Sequence, residues 1–214
     1  MDFQSLRKEY EDQGIVVHDL DENPLNQLEL WLKDAVEHSP GRWMEVNVMA
    51  LATAGNSGDV SVRYVLLKGI ATEGIQFFTN YDSQKGQQLE ENPNCSVAFH
   101  WPHLGRQVRI TGVVEKTSRE ISEDYFHSRP RSAQIGASVS AQSSVIESRE
   151  HLQQLYEDRE AELTEAEIPL PENWGGYLIK PARFEFWQGR TGRLHDRIVY
   201  TFESKHWVKS RLAP

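Results

Sequence analysis

Residues 44–68 read MEVNVMALATAGNSGDVSVRYVLLK, and this stretch decides the fold class. Met44 to Thr53 is rich in Val, Met, Leu and Ala and reads as a buried strand. Gly55-Asn56-Ser57-Gly58-Asp59 is a strong turn signal. Val60 to Lys68 follows as a second strand. Two strands joined by so short a connection run antiparallel, because a parallel return needs a crossover of a dozen or more residues.

The pattern continues outward from this hairpin. Ile75 to Thr79 is a third strand, and Lys85 to Glu91 a short helix ended by Asn92-Pro93. Cys95 to Trp101 and Gln107 to Lys116 pair around Pro102-His103-Leu104-Gly105. Upstream, Asn23-Pro24 supplies an N-cap and a first helical residue, with Leu25, Leu28, Leu32 and Ala35 at helical spacing behind them. Downstream, Thr117 to Glu120 matches a capping box for a helix running to about Ser128. Ser140 to Ser144 is a loop of small residues, and Glu147 to Leu163 a charged helix with Leu152, Leu155 and Tyr156 on one side. Pro169 and Pro171 form an extended link to three strands, Tyr177 to Trp187, Leu194 to Phe202 and His206 to Lys209. About eight mostly antiparallel strands with four or five helices imply one α+β domain, a barrel with helices packed outside. Residues 1–22 are polar and mixed in charge and read as a mobile arm, leaving 23–214 as the domain.

Composition narrows the function. The 214 residues carry 32 acidic and 23 basic side chains, a net charge of −9, which argues against a nucleic-acid or membrane-surface binder. Cys95 is the only cysteine, so neither an intrachain disulfide nor a cysteine zinc cluster is available. The first ten residues lack a secretory h-region and no stretch is long enough to span a bilayer, so the expectation is a soluble, cytoplasmic protein. No glycine-rich loop joins a strand to a helix, and His100, His103 and His127 lack metal-ligand spacing, so no metal is expected.

Three polar constellations stand out. Strand alternation over Arg193-Leu194-His195-Asp196-Arg197 would put Arg193, His195 and Arg197 on one face, with Leu194 and Ile198 on the other. Such a row either faces an anion or is a solvated strand edge paired with carboxylates. Tyr125 and Arg129 share a helix face ahead of Pro130, which suits a phosphate grip or a plain helix end. Arg63 and Lys68 punctuate an apolar strand; five apart, they would face opposite ways unless a bulge intervenes, and edge-strand charges against aggregation are the alternative. Gln107, Gln142-Ser143 and Trp187 are further polar or aromatic residues at strand ends and in a small-residue loop.

Taken together the motifs are similar to those of the pyridoxamine (pyridoxine) 5′-phosphate oxidase family. The resemblance rests on RxVLLK at 63–68, YFHSRPRxxQIGA at 125–137, QSS at 142–144, PLPxxWGG at 169–176, and EFWQG and RLHDR at 185–197. It implies an antiparallel, Greek-key-like split β-barrel with peripheral helices, forming a homodimer with FMN at the interface. It implies FMN contacts from Arg63, Tyr64, Val65, Leu66, Leu67, Lys68, Phe78, Thr79, Lys85, Gln107, Gln142, Ser143, Trp187 and Arg197. The substrate phosphate would meet Lys68, Tyr125 and Arg129, Arg193 and His195 would act at the substrate ring, and Arg7 and Tyr10 would belong to a lid. The implied reaction passes a hydride from C4′ of pyridoxamine or pyridoxine 5′-phosphate to the flavin, which O2 reoxidises with release of H2O2; the amine also yields ammonia. Gln84 and Ala133 depart from the family's usual Arg and Ser, which predicts weaker phosphate binding, and Ser138 stands where a larger residue is expected. Glu45 is the acidic residue expected near the site. The rival reading is a non-catalytic flavin- or haem-binding module of the same barrel class, which would need neither Arg129 nor the 193–197 row.

Overall fold

The computed structural model describes residues 3, 9–10, 14–164 and 166–214. One sheet of nine strands carries the chain. They are β1 (Val48–Ala54), β2 (Val60–Leu66), β3 (Gly69–Ala71), β4 (Gly74–Asn80), β5 (Asn94–Trp101), β6 (Arg106–Lys116), β7 (Trp174–Gln188), β8 (Asp196–Glu203) and β9 (His206–Arg211). The path runs β2-β1-β5-β6-β7-β4-β3, with β8 pairing β7 and β9, and every pairing is antiparallel.

The 15-residue β7 holds this curled sheet together. Its first half pairs with β4, from Trp174 opposite Asn80 to Ile179 opposite Ile75. Its second half pairs with β8, from Arg183 opposite Thr201 to Gln188 opposite Asp196. Its other edge follows β6 throughout, with a register shift between Thr111 and Gly112, opposite Pro181. A proline donates no ladder hydrogen bond and suits such a break. A side chain at Gly112 would lie 2.1 Å from the Lys180 carbonyl oxygen, so only glycine fits this crossing.

Phe77, Phe99, Ile110, Phe184, Phe186, Ile198 and Tyr200 are wholly buried inside the curl. Helix α1 (Pro24–Glu37) closes one end of it with Leu28 and Ala35, and its Trp31 meets Phe186 edge-on at 5.1 Å. Asn23 caps this helix by accepting from the Leu25 N–H, as the Asn-Pro pair predicts. A second cluster, Phe126, Ile135, Ile168, Leu170 and Trp174, joins α3 (Arg119–Ser128) and α4 (Arg131–Val139) to the start of β7. Helices α2 (Gln84–Glu91) and α5 (Arg149–Leu163) complete the set. Among the described residues no helix is long and apolar enough to cross a membrane.

Four details differ from the sequence reading. Ser118, not Thr117, caps α3, its hydroxyl accepting from the Ile121 N–H. Helix α4 is additional: Pro130 ends the preceding helix but supplies the entry to the next. The packed body begins before residue 23, since Ile15 and Leu20 are buried and the Asp21 carbonyl accepts from the Tyr200 hydroxyl at 2.8 Å. The strand expected from Leu194 starts only at Asp196, so Arg193, His195 and Arg197 do not form one alternating row. Gly192 and Arg193 both have positive φ, 61° and 62°, and a 3-10 turn over Thr191–Arg193 replaces extended chain. Leu194 is 74% exposed while Ile198 is fully buried, so the two do not share a face either.

Gly86 fixes α2 against the end of β4, because a Cβ there would sit 1.9 Å from the Tyr81 carbonyl oxygen. Gly86→Ala should cost about 1–3 kcal/mol through overpacking, measured by denaturant unfolding. A variant as stable as the parent would show that α2 shifts freely.

Candidate active site

The turn from β4 into α2 builds the centre of the site. Ser83 caps α2 by accepting from the Gly86 N–H and is fully buried. Two residues later Lys85 turns its ammonium inward, donating to Thr79 Oγ1 at 3.1 Å, Ser83 Oγ at 3.0 Å and Gln142 Oε1 at 2.7 Å. All three acceptors are neutral, and Lys85 is only 8% exposed. Burial, helped by repulsion from Arg63, lowers its pKa from 10.5 to about 8.

Arg63 reaches in from the edge strand β2. Its guanidinium donates to the Leu51 and Ser61 carbonyls, to Thr53 Oγ1 at 2.6 Å and to Gln88 Oε1 at 3.4 Å. Burial pulls its pKa below the ordinary arginine value, and these partners too are uncharged.

Beside these groups opens a cleft of about 370 Å³ lined by Leu66, Lys68, Phe78, Thr79, Tyr125, Arg129, Pro130, Gln142 and Trp174. None of the described residues lining it is a carboxylate. Tyr125 stacks on Phe78 at 4.0 Å, and the Arg129 guanidinium lies 4.7 Å from the centre of the Trp174 ring. Arg129 Nη1 is buried without a hydrogen-bond partner, and burial lowers the residue's pKa. An unpaired buried guanidinium nitrogen is costly unless an anion joins it. The cleft therefore suits a phosphate bound against an aromatic wall.

A second group stands elsewhere on the same chain. Gln107 pairs with Trp187 across β6 and β7, and Trp187 with Arg197 across β7 and β8. Directly opposed residues share a face, so the three form a row. The neighbouring row Val108, Phe186 and Ile198 is buried, so the first row lies on the face turned away from the core. Trp187 is 11 positions beyond Gly176, the partner of Phe78, or about 36 Å along β7 by strand rise. His195 lies 4.7 Å from Trp187, and Tyr10 meets both rings edge-on at 5.5 and 5.6 Å. The Arg190 N–H donates to His195 Nδ1 at 3.0 Å, so the neutral ring carries its proton on Nε2. Arg193 is exposed on the adjoining turn.

The remaining expected residues fall as follows. Tyr64 points outward, 77% exposed, whereas Val65 and Leu67 pack into the core. Ser143, at φ 75°, lines a neighbouring hollow between the 140–147 loop and α5. Gln84 is exposed at the start of α2, and half-buried Ala133 does not line the cleft. Glu45 is exposed just before β1. Arg7 lies outside the described residues. Among the described residues, no group of three or more His, Cys, Asp or Glu side chains is placed to hold a metal ion.

Sequence reasoning missed Glu185. Its carboxylate, 1% exposed, accepts from Arg197 Nε at 2.9 Å, Arg109 Nη2 at 2.5 Å and Arg183 Nη2 at 3.0 Å. Burial would push its pKa up, but hydrogen bonds from Arg197, Arg109 and Arg183 win and hold it at about 2. An acid inside the aromatic run Phe184-Glu185-Phe186-Trp187 was the available signal.

Comparison with known proteins agrees with this geometry. Residues 41–160 match the family described as pyridoxamine 5′-phosphate oxidase, and residues 174–214 match the pyridoxine 5′-phosphate oxidase C-terminal dimerisation region. A pyridoxine/pyridoxamine 5′-phosphate oxidase of Rhodopirellula baltica is 51% identical over 213 residues, covering 98% of this chain and 95% of that one. One from Crocosphaera subtropica is 49% identical over 217 residues, covering all of both chains. Among solved structures, PhzG of Burkholderia lata, in complex with tetrahydrophenazine-1-carboxylic acid, superposes with a TM-score of 0.88. It is 27% identical and covers 96% of this chain and 100% of its own.

The uncompensated lysine makes a test. Its folded pKa lies below its unfolded one, so the charged form opposes folding below pH 8, and that cost fades as pH rises from 8 to 10.5. Lys85→Met should raise Tm at pH 7, with the gain shrinking across that interval, and should abolish any stabilisation by added inorganic phosphate. A Tm lower at pH 7 than that of the parent would mean that the three neutral acceptors satisfy the ammonium fully.

Proposed function

The chain belongs to the pyridoxine/pyridoxamine 5′-phosphate oxidase family and oxidises pyridoxamine and pyridoxine 5′-phosphates to pyridoxal 5′-phosphate; we propose that it does so with FMN seated between two copies of the chain. The observation that carries this reading is a buried lysine and a half-buried arginine without counter-charge. Arg129 Nη1 has no partner, and Lys85 meets only neutral oxygens. Two phosphate dianions, one on the cofactor and one on the substrate, would answer that deficit in a protein whose net charge is −9. FMN, when bound, supplies the two-electron acceptor for a hydride leaving C4′, with dioxygen as the final oxidant that becomes hydrogen peroxide.

The chain's own residues bind and orient. Lys85 and Arg63, with Thr79, Gln142 and Ser143, suit the cofactor phosphate. The 63–68 strand, with Tyr64, Val65, Leu66 and Leu67, and Phe78 would border the flavin. Lys68, Tyr125 and Arg129 suit the substrate phosphate, held through a salt-bridging fork and a phenol against Trp174. Arg193 and His195 would cover the substrate ring, His195 offering its Nε2–H and Arg193 its charge as the hydride leaves. Gln107, Trp187 and Arg197 would meet the flavin, and Arg7 and Tyr10 would close over the substrate. The two groups lie at opposite ends of the 15-residue β7, which supports a site completed by a second copy. The match of residues 174–214 to a dimerisation region supports the same homodimer. So do Val60, Val62 and Tyr64, three exposed apolar side chains in a row on edge strand β2. Charged phosphate esters as substrate and cofactor support a cytoplasmic location.

Arg129→Ala should raise KM for pyridoxine 5′-phosphate by roughly tenfold to a hundredfold, the loss of a charge-assisted contact worth about 1.5–3 kcal/mol. kcat should change much less, because the phosphate is remote from C4′. Steady-state kinetics check this; an unchanged KM would remove the cleft from substrate binding.

A further inference from the structure

One carboxylate outside the cleft and the outer-face row is bonded from three directions. Asp196 opens β8 and is 7% exposed. Its Oδ2 accepts from Arg190 Nη1 at 3.1 Å and from the Ile15 N–H at 2.9 Å. Its Oδ1 accepts from Arg211 Nη1, while Arg211 Nη2 donates to the Ile15 carbonyl at 3.2 Å. Three distant segments thus meet at one side chain: the start of the 190–195 loop, the root of the N-terminal arm and strand β9. We propose that Asp196 is a positioning residue for the oxidation, fixing the loop that carries Arg193 and His195 and tying that loop to the N-terminal arm. The proposal rests on the reading that those two residues act at the substrate.

The loop needs such an anchor. Arg193 adopts a left-handed conformation at φ 62°, which disfavours any side chain beyond glycine. Packing does not enforce it, because Thr191, Gly192, Arg193 and Leu194 are all exposed. Hydrogen bonds do: the Arg190 N–H closes the loop on His195 Nδ1, and the Arg190 guanidinium ties its entrance to its exit at Asp196. His195 is therefore oriented by Arg190, and Arg190 by Asp196.

The arm is built into the same junction. A Cβ at Gly14 would fall 2.0 Å from Arg190 Nη1 and 3.2 Å from Asp196 Oδ2, so the Gly14 backbone lies directly against both partners of that ion pair. Four residues earlier Tyr10 touches the His195 ring itself. Docking of the arm and orientation of His195 share one hub, and loosening the hub loosens both.

The test uses the FMN-loaded enzyme with Asp196→Asn, which keeps the shape and removes the charge. Arg190→Gln removes the loop-side guanidinium while leaving the Ile15 and Arg211 bonds to Asp196, and serves if the first variant folds poorly. Anaerobic flavin reduction by saturating pyridoxine 5′-phosphate should slow by on the order of tenfold or more, with FMN affinity unchanged, as expected for misplacement near the reacting atoms. Hydrogen exchange on the flavin-free protein should speed up at Ile15 and across 190–195. In a background lacking both residues it positions, Arg193→Ala with His195→Ala, Asp196→Asn should add less than about twofold, because it acts through residues already removed. Full-rate reduction of the single variant, or losses that simply multiply in that triple variant, would overturn the proposal. Silent Arg193→Ala and His195→Ala variants would instead overturn the catalytic reading beneath it, and the proposal with it.

Discussion

Strand β7 must serve three neighbours at once, and the rest of the molecule is arranged around that demand. Its first half holds β4, which carries Phe78 and Thr79 to the cleft. Its second half holds β8 and presents Trp187 between Gln107 and Arg197. The change of partner falls where Pro181 opposes Gly112, a residue that cannot donate set against one that cannot carry a side chain. One continuous strand thereby holds the two sets of candidate side chains at its opposite ends. A flexible linker would let them drift together or apart; a strand does not.

Charge is distributed with a matching division of labour. Where a guanidinium has only structural work, the chain supplies an internal carboxylate: Glu185 takes Arg109 and Arg183, and Asp196 takes Arg211. Where a cation lines the cleft or lies just behind it, none of the described residues supplies a carboxylate. Lys85 is held by hydroxyl and amide oxygens, and Arg129 leaves a nitrogen without a partner. Placing an acid at either position would satisfy the apo-protein and compete with a phosphate ligand. Arg197, in the outer-face row, does have a carboxylate: its Nε is fixed by Glu185 and its Nη1 by the Ala213 carbonyl, so its guanidinium is set in place beside Trp187.

Much of this was legible in the sequence. The hairpin at 44–68, the Asn23-Pro24 helix start and the strand pair at 95–116 follow from short-range turn chemistry and alternation, which act before any tertiary contact. The long motifs around Arg63, Tyr125 and Trp187 carried the family. What could not be read were features decided by distant partners. The 193–197 row failed because positive φ at Gly192 and Arg193 breaks alternation, and Asp196 joins segments 181 residues apart in the chain. Helix α4 was hidden because Pro130 reads equally as an ending and a beginning. Glu185 looks like a solvated charge until its three arginines arrive from β6, β7 and β8.

On the proposed arrangement, one working site needs the cleft of one copy and the outer-face row of another. Co-expression of differently tagged Lys85→Met and Arg193→Ala chains, followed by isolation of the mixed dimer, tests it directly. Each variant alone is expected to be close to inactive. In a two-fold dimer the mixed species then holds one site with both defects and one with neither, and recovers about half of the parent activity. A mixed dimer as inactive as its parents would mean that cleft and row act within a single chain, and would rule out a site shared between copies.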